Sequence, residues 1–106
     1  MNLPVMTRCS TKSGAIEYHI EADPAWEGFD SFIAYLQKHW NAQISESADW
    51  VYSRRWVLRL DGVPISVYHD SQIGNYFLRE DGNQDQSLLQ QIAADVTHRL
   101  SQPEPS

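Results

Sequence analysis

The chain has one cysteine, only eight lysines and arginines, and no apolar run near the ~18 residues that would suggest a membrane span. Each shortage removes a class of function. Cys9 alone allows neither an intrachain disulfide nor a multi-cysteine zinc site. Eight basic residues against fourteen acidic ones leave a formal charge of −6. A phosphate-tracking surface starts from clustered Lys and Arg, and Arg54-Arg55 is the single adjacent pair, so nucleic acid is not an expected partner. Met1-Asn2-Leu3-Pro4 shows no basic segment leading into an apolar core, so no signal peptide is expected. A bacterial-type cytoplasmic setting, with no membrane contact, is the default expectation.

Catalytic signatures are equally scarce. The four histidines, His19, His39, His69 and His98, fall in different segments with no HxH or HxxxH spacing, so no local metal motif exists. His39 and His98 near helix C-termini read as partners of the macrodipole. Ser71 lacks the strained GxSxG elbow that exposes a nucleophile. Lys12-Ser13-Gly14 has neither the leading glycine nor the Gly-Lys-Ser/Thr order of a phosphate loop. Cys9 follows Arg8, which could lower a thiol pKa, but a single cysteine usually acts as a small hydrophobe. No catalytic residue, metal site or cofactor is expected, and the chain reads as a non-enzyme.

What is present is ordinary globular composition, 42% hydrophobic over 106 residues, enough for one core between two layers. One domain over 1–101 is expected, with 102–106, holding Pro103 and Pro105, as a frayed tail. The clearest local signal is Asp61-Gly62, because a two-residue hairpin turn needs positive φ at both positions. That turn sets Leu60 opposite Val63, Leu58 opposite Ile65 and Trp56 opposite Val67, all six on one face. Trp50 to Leu60 reads as one long strand and Val63 to His69 as its partner. Ile16, Tyr18 and Ile20 alternate with polar residues, another half-buried strand. Residues 3–9 could form a strand, Ala42 to Glu46 a short one, and Ser45 to Asp49 a turn. Asn75 to Glu80 is a further strand in which either Phe77 or Tyr76 and Leu78 face inward.

Two helices complete the pattern. Asp23-Pro24 suggests an N-cap and first helical residue, followed by Trp26, Phe29, Ile33, Leu36 and Trp40 on one stripe. Gly28 should weaken that first turn by roughly 1 kcal/mol, so regular helix is expected from about Phe29, with Asn41 ending it. Asp85 caps a second helix lined by Leu89, Ile92, Val96 and Leu100. The expected class is α+β: a two-layer sandwich, with an antiparallel sheet of four to five strands carrying both helices on one face. The four tryptophans, Trp26, Trp40, Trp50 and Trp56, are expected mainly in the core, two per layer, with one or two at its rim because a buried indole N–H needs a partner.

The uncovered face would display Glu17, His19, Glu21, Arg55, Val57, Arg59, Ser66 and Tyr68. Such faces are normally just solvated. Arg and Tyr are enriched in binding hot spots, so the competing expectation is a protein-interaction or homodimer surface centred on Arg55, Arg59, Tyr68 and His19. The alternative is a small-molecule binder or weak enzyme using a cleft between sheet and helices. Its nearest polar candidates are Arg54, Tyr68, His69 and Asp70, where an acid beside an imidazole could orient a base.

An amphipathic helix, then Trp-x-Leu-x-Leu-Asp-Gly, Ile-x-Val-Tyr-His-Asp, a Gly-Asn-Tyr-Phe-Leu strand and a terminal helix, covers residues 26 to 100. This order resembles small uncharacterised bacterial domains of unknown function. It is more loosely similar to the acidic α+β immunity proteins that neutralise bacterial toxins. The second resemblance implies tight, non-enzymatic binding to a toxin domain, and neither implies a functional residue.

Overall fold

Asp61 (φ 51°) and Gly62 (φ 80°) both take positive φ, and the two strands they join pair Leu60 with Val63, Leu58 with Ile65 and Trp56 with Val67. The hairpin register expected from the turn chemistry is therefore the one the molecule adopts. The computed structural model describes residues 5–101, the side chain of Ser101 excepted. The tail expected over 102–106 lies outside the described residues.

The elements are β1 (Met6–Ser10), β2 (Ile16–Ile20), α1 (Trp26–Trp40), β3 (Gln43–Asp49), β4 (Ser53–Leu60), β5 (Val63–Asp70), β6 (Gly74–Leu78) and α2 (Ser87–Ser101). The fold is α+β, but the sheet has six strands rather than four to five, in the order β1-β2-β6-β5-β4-β3. Every neighbouring pair is antiparallel. The strand expected over 3–9 is observed as Met6–Ser10, with residues 3 and 4 outside the described ones.

The extra strand length comes from residues 45–49, which the sequence suggested as a turn. They continue β3 to Asp49, past an irregularity between Ile44 and Glu46 that leaves Ser45 unpaired. Such a bulge adds one residue to one strand and shifts the register. Ser45 Oγ donates to the Val57 carbonyl at 3.1 Å, compensating part of the interrupted ladder. The long strand expected from Trp50 is correspondingly shorter. Trp50 N–H donates to the Ser53 carbonyl at 2.8 Å, so the chain reverses around Val51-Tyr52 and β4 starts at Ser53. Trp50 is therefore at a hairpin tip and not in the core.

Helix α1 also departs from expectation. Ala25, not Asp23, is the N-cap residue, and no side chain caps it. Helix begins at Trp26 and includes Gly28, whose lack of a side chain has a steric reason. A Cβ there would stand 2.5 Å from both Cγ and Oδ1 of Asp23. Gly74 (φ 106°) serves the same connection from the sheet side, since its Cβ would lie 3.0 Å from Pro24 Cβ. Asn75 then fastens the junction: its Nδ2 donates to the Asp23 carbonyl (2.7 Å) and the Ala25 carbonyl (2.9 Å).

Those two bonds leave Asn75 Oδ1 to accept from His69 Nδ1 at 2.8 Å, which assigns the proton to that ring nitrogen. Both Asn75 and His69 are buried. In β6, Phe77 faces inward and stacks between Tyr18 (5.3 Å) and Phe32 (5.1 Å). Leu58, Leu60, Ile65 and Val67 meet Phe29, Ile33 and Leu36 of α1 and Leu89, Ile92 and Val96 of α2 in one core.

Candidate protein-interaction surface

The open sheet face carries one transverse row of directly paired residues from all six strands: Thr7, His19, Tyr76, Tyr68, Arg55 and Ala48. Alternation on pleated strands puts them all on the side away from the helices. His19 stacks on Tyr76 at 4.8 Å, Tyr76 on Tyr68 at 5.1 Å with planes 7° apart, and the Arg55 guanidinium lies 5.8 Å from the Tyr68 ring. Carboxylates close the row. Glu17 Oε1 is 2.9 Å from His19 Nε2, Tyr68 donates to Glu80 at 2.8 Å, and Arg55 reaches Tyr68 (2.9 Å), Glu46 and Glu80 (3.3 Å each).

The polar groups of this row are largely taken up by one another. Burial, then the nearby Glu17 charge, pushes the Tyr76 hydroxyl up to about 12. Burial and the bond to Glu80 raise Tyr68 as well. Burial would raise the Glu80 carboxyl too, but bonds from Ser66, Tyr68 and Arg55 outweigh it and hold it below the usual range. These tyrosines are thus neutral donors near pH 7, unsuited to act as bases. Of the expected surface residues, His19, Tyr68 and Arg55 converge, joined by Tyr76 and Glu80. Arg59 stands apart, exposed, between Gln43 and Pro64. Glu21 lies past the end of β2.

The four residues considered for a cleft are divided between the two faces. Arg54 and His69 are a cross-strand pair under α1, both buried. Tyr68 points to the open side, and Asp70 holds the β5–β6 turn by accepting the N–H groups of Gln72 (2.8 Å) and Ile73 (3.2 Å). The structure gathers no cleft from this set.

Arg54 instead fills a cage of rings. Its guanidinium carbon is 4.4 Å from the Phe29 ring centre, 4.6 Å from Trp26 and 5.2 Å from Trp56. Its Nε donates to Asp49 Oδ1 at 2.9 Å, which also accepts the Trp56 indole N–H at 2.9 Å. Nη1 lies 2.9 Å from Asp30 Oδ1 but forms no hydrogen bond. That contact is a charge pairing with poor alignment, which distance alone does not upgrade. Among the described residues no group of three or more His, Cys, Asp or Glu is placed to hold a metal. No helix there is long and apolar enough to cross a membrane.

The least expected surface is the β3–β4 tip. Trp50 is 57% exposed, Val51 80% and Tyr52 72%, and Ile73 in the neighbouring β5–β6 turn is 57% exposed. The two turns are tied together, because Ser71 N–H donates to the Tyr52 carbonyl at 2.9 Å. Both are also internally bonded, through Trp50–Ser53 and Ile73–Asp70. The tip is thus held in place by backbone hydrogen bonds. Asp49 and Asp70 flank it in the chain, and Asp30 approaches the same end through Arg54. A sequence signal for it existed: three consecutive large apolar residues, Trp50-Val51-Tyr52, cannot all face inward on an alternating strand. Comparisons of the chain with protein-family models, with curated proteins and with solved structures found no match.

Proposed function

We propose that this chain is a non-enzymatic, cytoplasmic protein-interaction module that inserts the Trp50-Val51-Tyr52 tip, with Ile73 beside it, into an apolar cleft of another protein. The observation that carries the reading is the exposure of those four side chains on a pre-held turn pair. Isolated apolar residues on a surface need no explanation, whereas a cluster that includes Trp and Tyr has the composition of a binding anchor. Rigidity lowers the ordering cost of association. The acids around the tip and the charge of −6 call for a partner whose cleft is rimmed by cationic groups. The same charges disfavour a second copy of the chain. An immunity-like role is one case of this reading, with a basic toxin domain as the partner.

A photo-crosslinking residue placed at position 51, with position 59 on the open face as comparator, tests the proposal in living cells. The expected result is a discrete adduct with one other protein from position 51, weakened by added salt in lysate, and none from position 59. Equal adducts from both positions, or an adduct of two copies of this chain, would overturn it.

A further inference from the structure

A pocket of about 140 Å³ lies between α1 and α2, walled by Ile20, Phe32, Tyr35, Val96 and Leu100. This is close to the roughly 150 Å³ of an apolar cavity that holds benzene, enough for a ligand of about five heavy atoms. Two charged side chains border it, Asp23 and Arg99. Arg99 is already engaged: its Nε donates to Asp95 Oδ2 at 2.7 Å and its Nη2 is 3.5 Å from His39. The Tyr35 hydroxyl is also committed, donating to Asp95 at 2.5 Å and accepting from the Trp40 indole at 2.8 Å. Ser31 donates to its own helix at Glu27.

The Asp23 carboxylate, exposed at the pocket rim, has no hydrogen bond or ion pair among the described residues; the bond from Asn75 goes to its backbone carbonyl. Gly28 is what lets that carboxylate lie against the first turn of α1, since a Cβ would occupy the same space. Phe32 and Tyr35, stacked at 5.8 Å, close one apolar wall, with the Arg99 guanidinium 5.6 Å from the Tyr35 ring.

We propose that this pocket binds a small primary alkylammonium ion, with the alkyl chain among Phe32, Val96 and Leu100 and the ammonium on Asp23. The site is independent of the tip and of any protein partner. Amide NMR titration with n-butylammonium, n-butanol and n-butyrate tests it on the full chain. Butylammonium should shift Gly28, Ser31, Phe32, Val96 and Leu100, saturating in the millimolar range, with butanol at least five-fold weaker and butyrate weaker still. Asp23→Asn should bring butylammonium down to the level of butanol. Ser31→Phe, which fills the pocket from an exposed position and leaves the Asp23 carboxylate in the chain, should abolish all three responses. Equal binding of butanol and butylammonium by the unaltered chain would overturn the proposal. So would shifts scattered over the acidic surface, or a full response from Ser31→Phe.

Discussion

Replacing Asn75 with alanine is expected to lower the unfolding free energy by about 3 to 4 kcal/mol, the cost of leaving buried polar partners unpaired. The side chain is almost wholly buried. It serves three groups at once, the carbonyls of Asp23 and Ala25 and the ring N–H of His69. Truncation strands all three beside the connection that leads into α1. Each stranded group costs roughly 1 to 3 kcal/mol, and the sum is below the simple total because water can enter. Asn75→Asp should be at least as damaging at pH 7, since a carboxylate cannot donate to two carbonyls. Urea unfolding followed by Trp fluorescence and circular dichroism measures this. A loss under about 1 kcal/mol in Asn75→Ala would show that the junction is held by packing around Gly28 and Gly74 rather than by the amide.

The second large effect is expected at Arg54, where alanine should cost about 3 kcal/mol, mostly as lost packing and cation–π contact. The guanidinium fills the space between Trp26, Phe29 and Trp56. Its acidic partners, Asp30 and Asp49, are half exposed, so removing the charge strands no buried ion. Arg54→Met keeps most of the stem and should therefore lose less than half as much as alanine, in line with the small net value of buried ion pairs against apolar replacements.

The pH dependence separates the two contributions. Arg54 first, and then the Trp56 indole, holds the Asp49 carboxyl below its usual range. A depressed folded pKa gives stability that is present above the unfolded value near ~4 and is lost as pH falls through the folded one. The increment is small for so exposed a group. In Arg54→Met the stability curve should be flatter on that acid limb. A methionine variant as unstable as the alanine one would mean that charge, not shape, is what the cage requires.

The parts of the fold that could be read in the sequence are those where a local rule and the hydrophobic pattern agree. Asp61-Gly62 demanded positive φ, and the alternation on both sides allowed one register only. The stripes from Trp26 to Trp40 and from Leu89 to Leu100 likewise marked the helices. The second half of β3 read as a turn because this edge strand is wet on nearly all sides, so Ser45-Glu46-Ser47 carries no alternation to detect. Extending β4 back to Trp50 followed from continuing the alternation of Trp56, Leu58 and Leu60 through Tyr52 and Trp50, against the run Trp50-Val51-Tyr52.

The site was legible in pieces. His19, Arg55 and Tyr68 were placed on the correct face, but Tyr76 and Glu80 were not, since the inward register of β6 was undecided until Phe77 packed between Tyr18 and Phe32. Asn75 gave no sign of its role, because its partners on the backbone lie 50 and 52 residues earlier. Gly28 read as a weakness of the helix, and its purpose appears only once Asp23 lies against it.

The molecule divides into a fold held by its core, by Asn75 and by Arg54, and a tip whose apolar side chains the fold does not use. Urea unfolding of the triple variant Trp50→Ser, Val51→Ser, Tyr52→Ser tests that division most directly. The expected change is within about 0.5 kcal/mol of the unaltered chain, as for surface positions with no buried partners. A loss of 2 kcal/mol or more would place those side chains among the supports of the fold and would remove the ground for reading them as a partner's anchor.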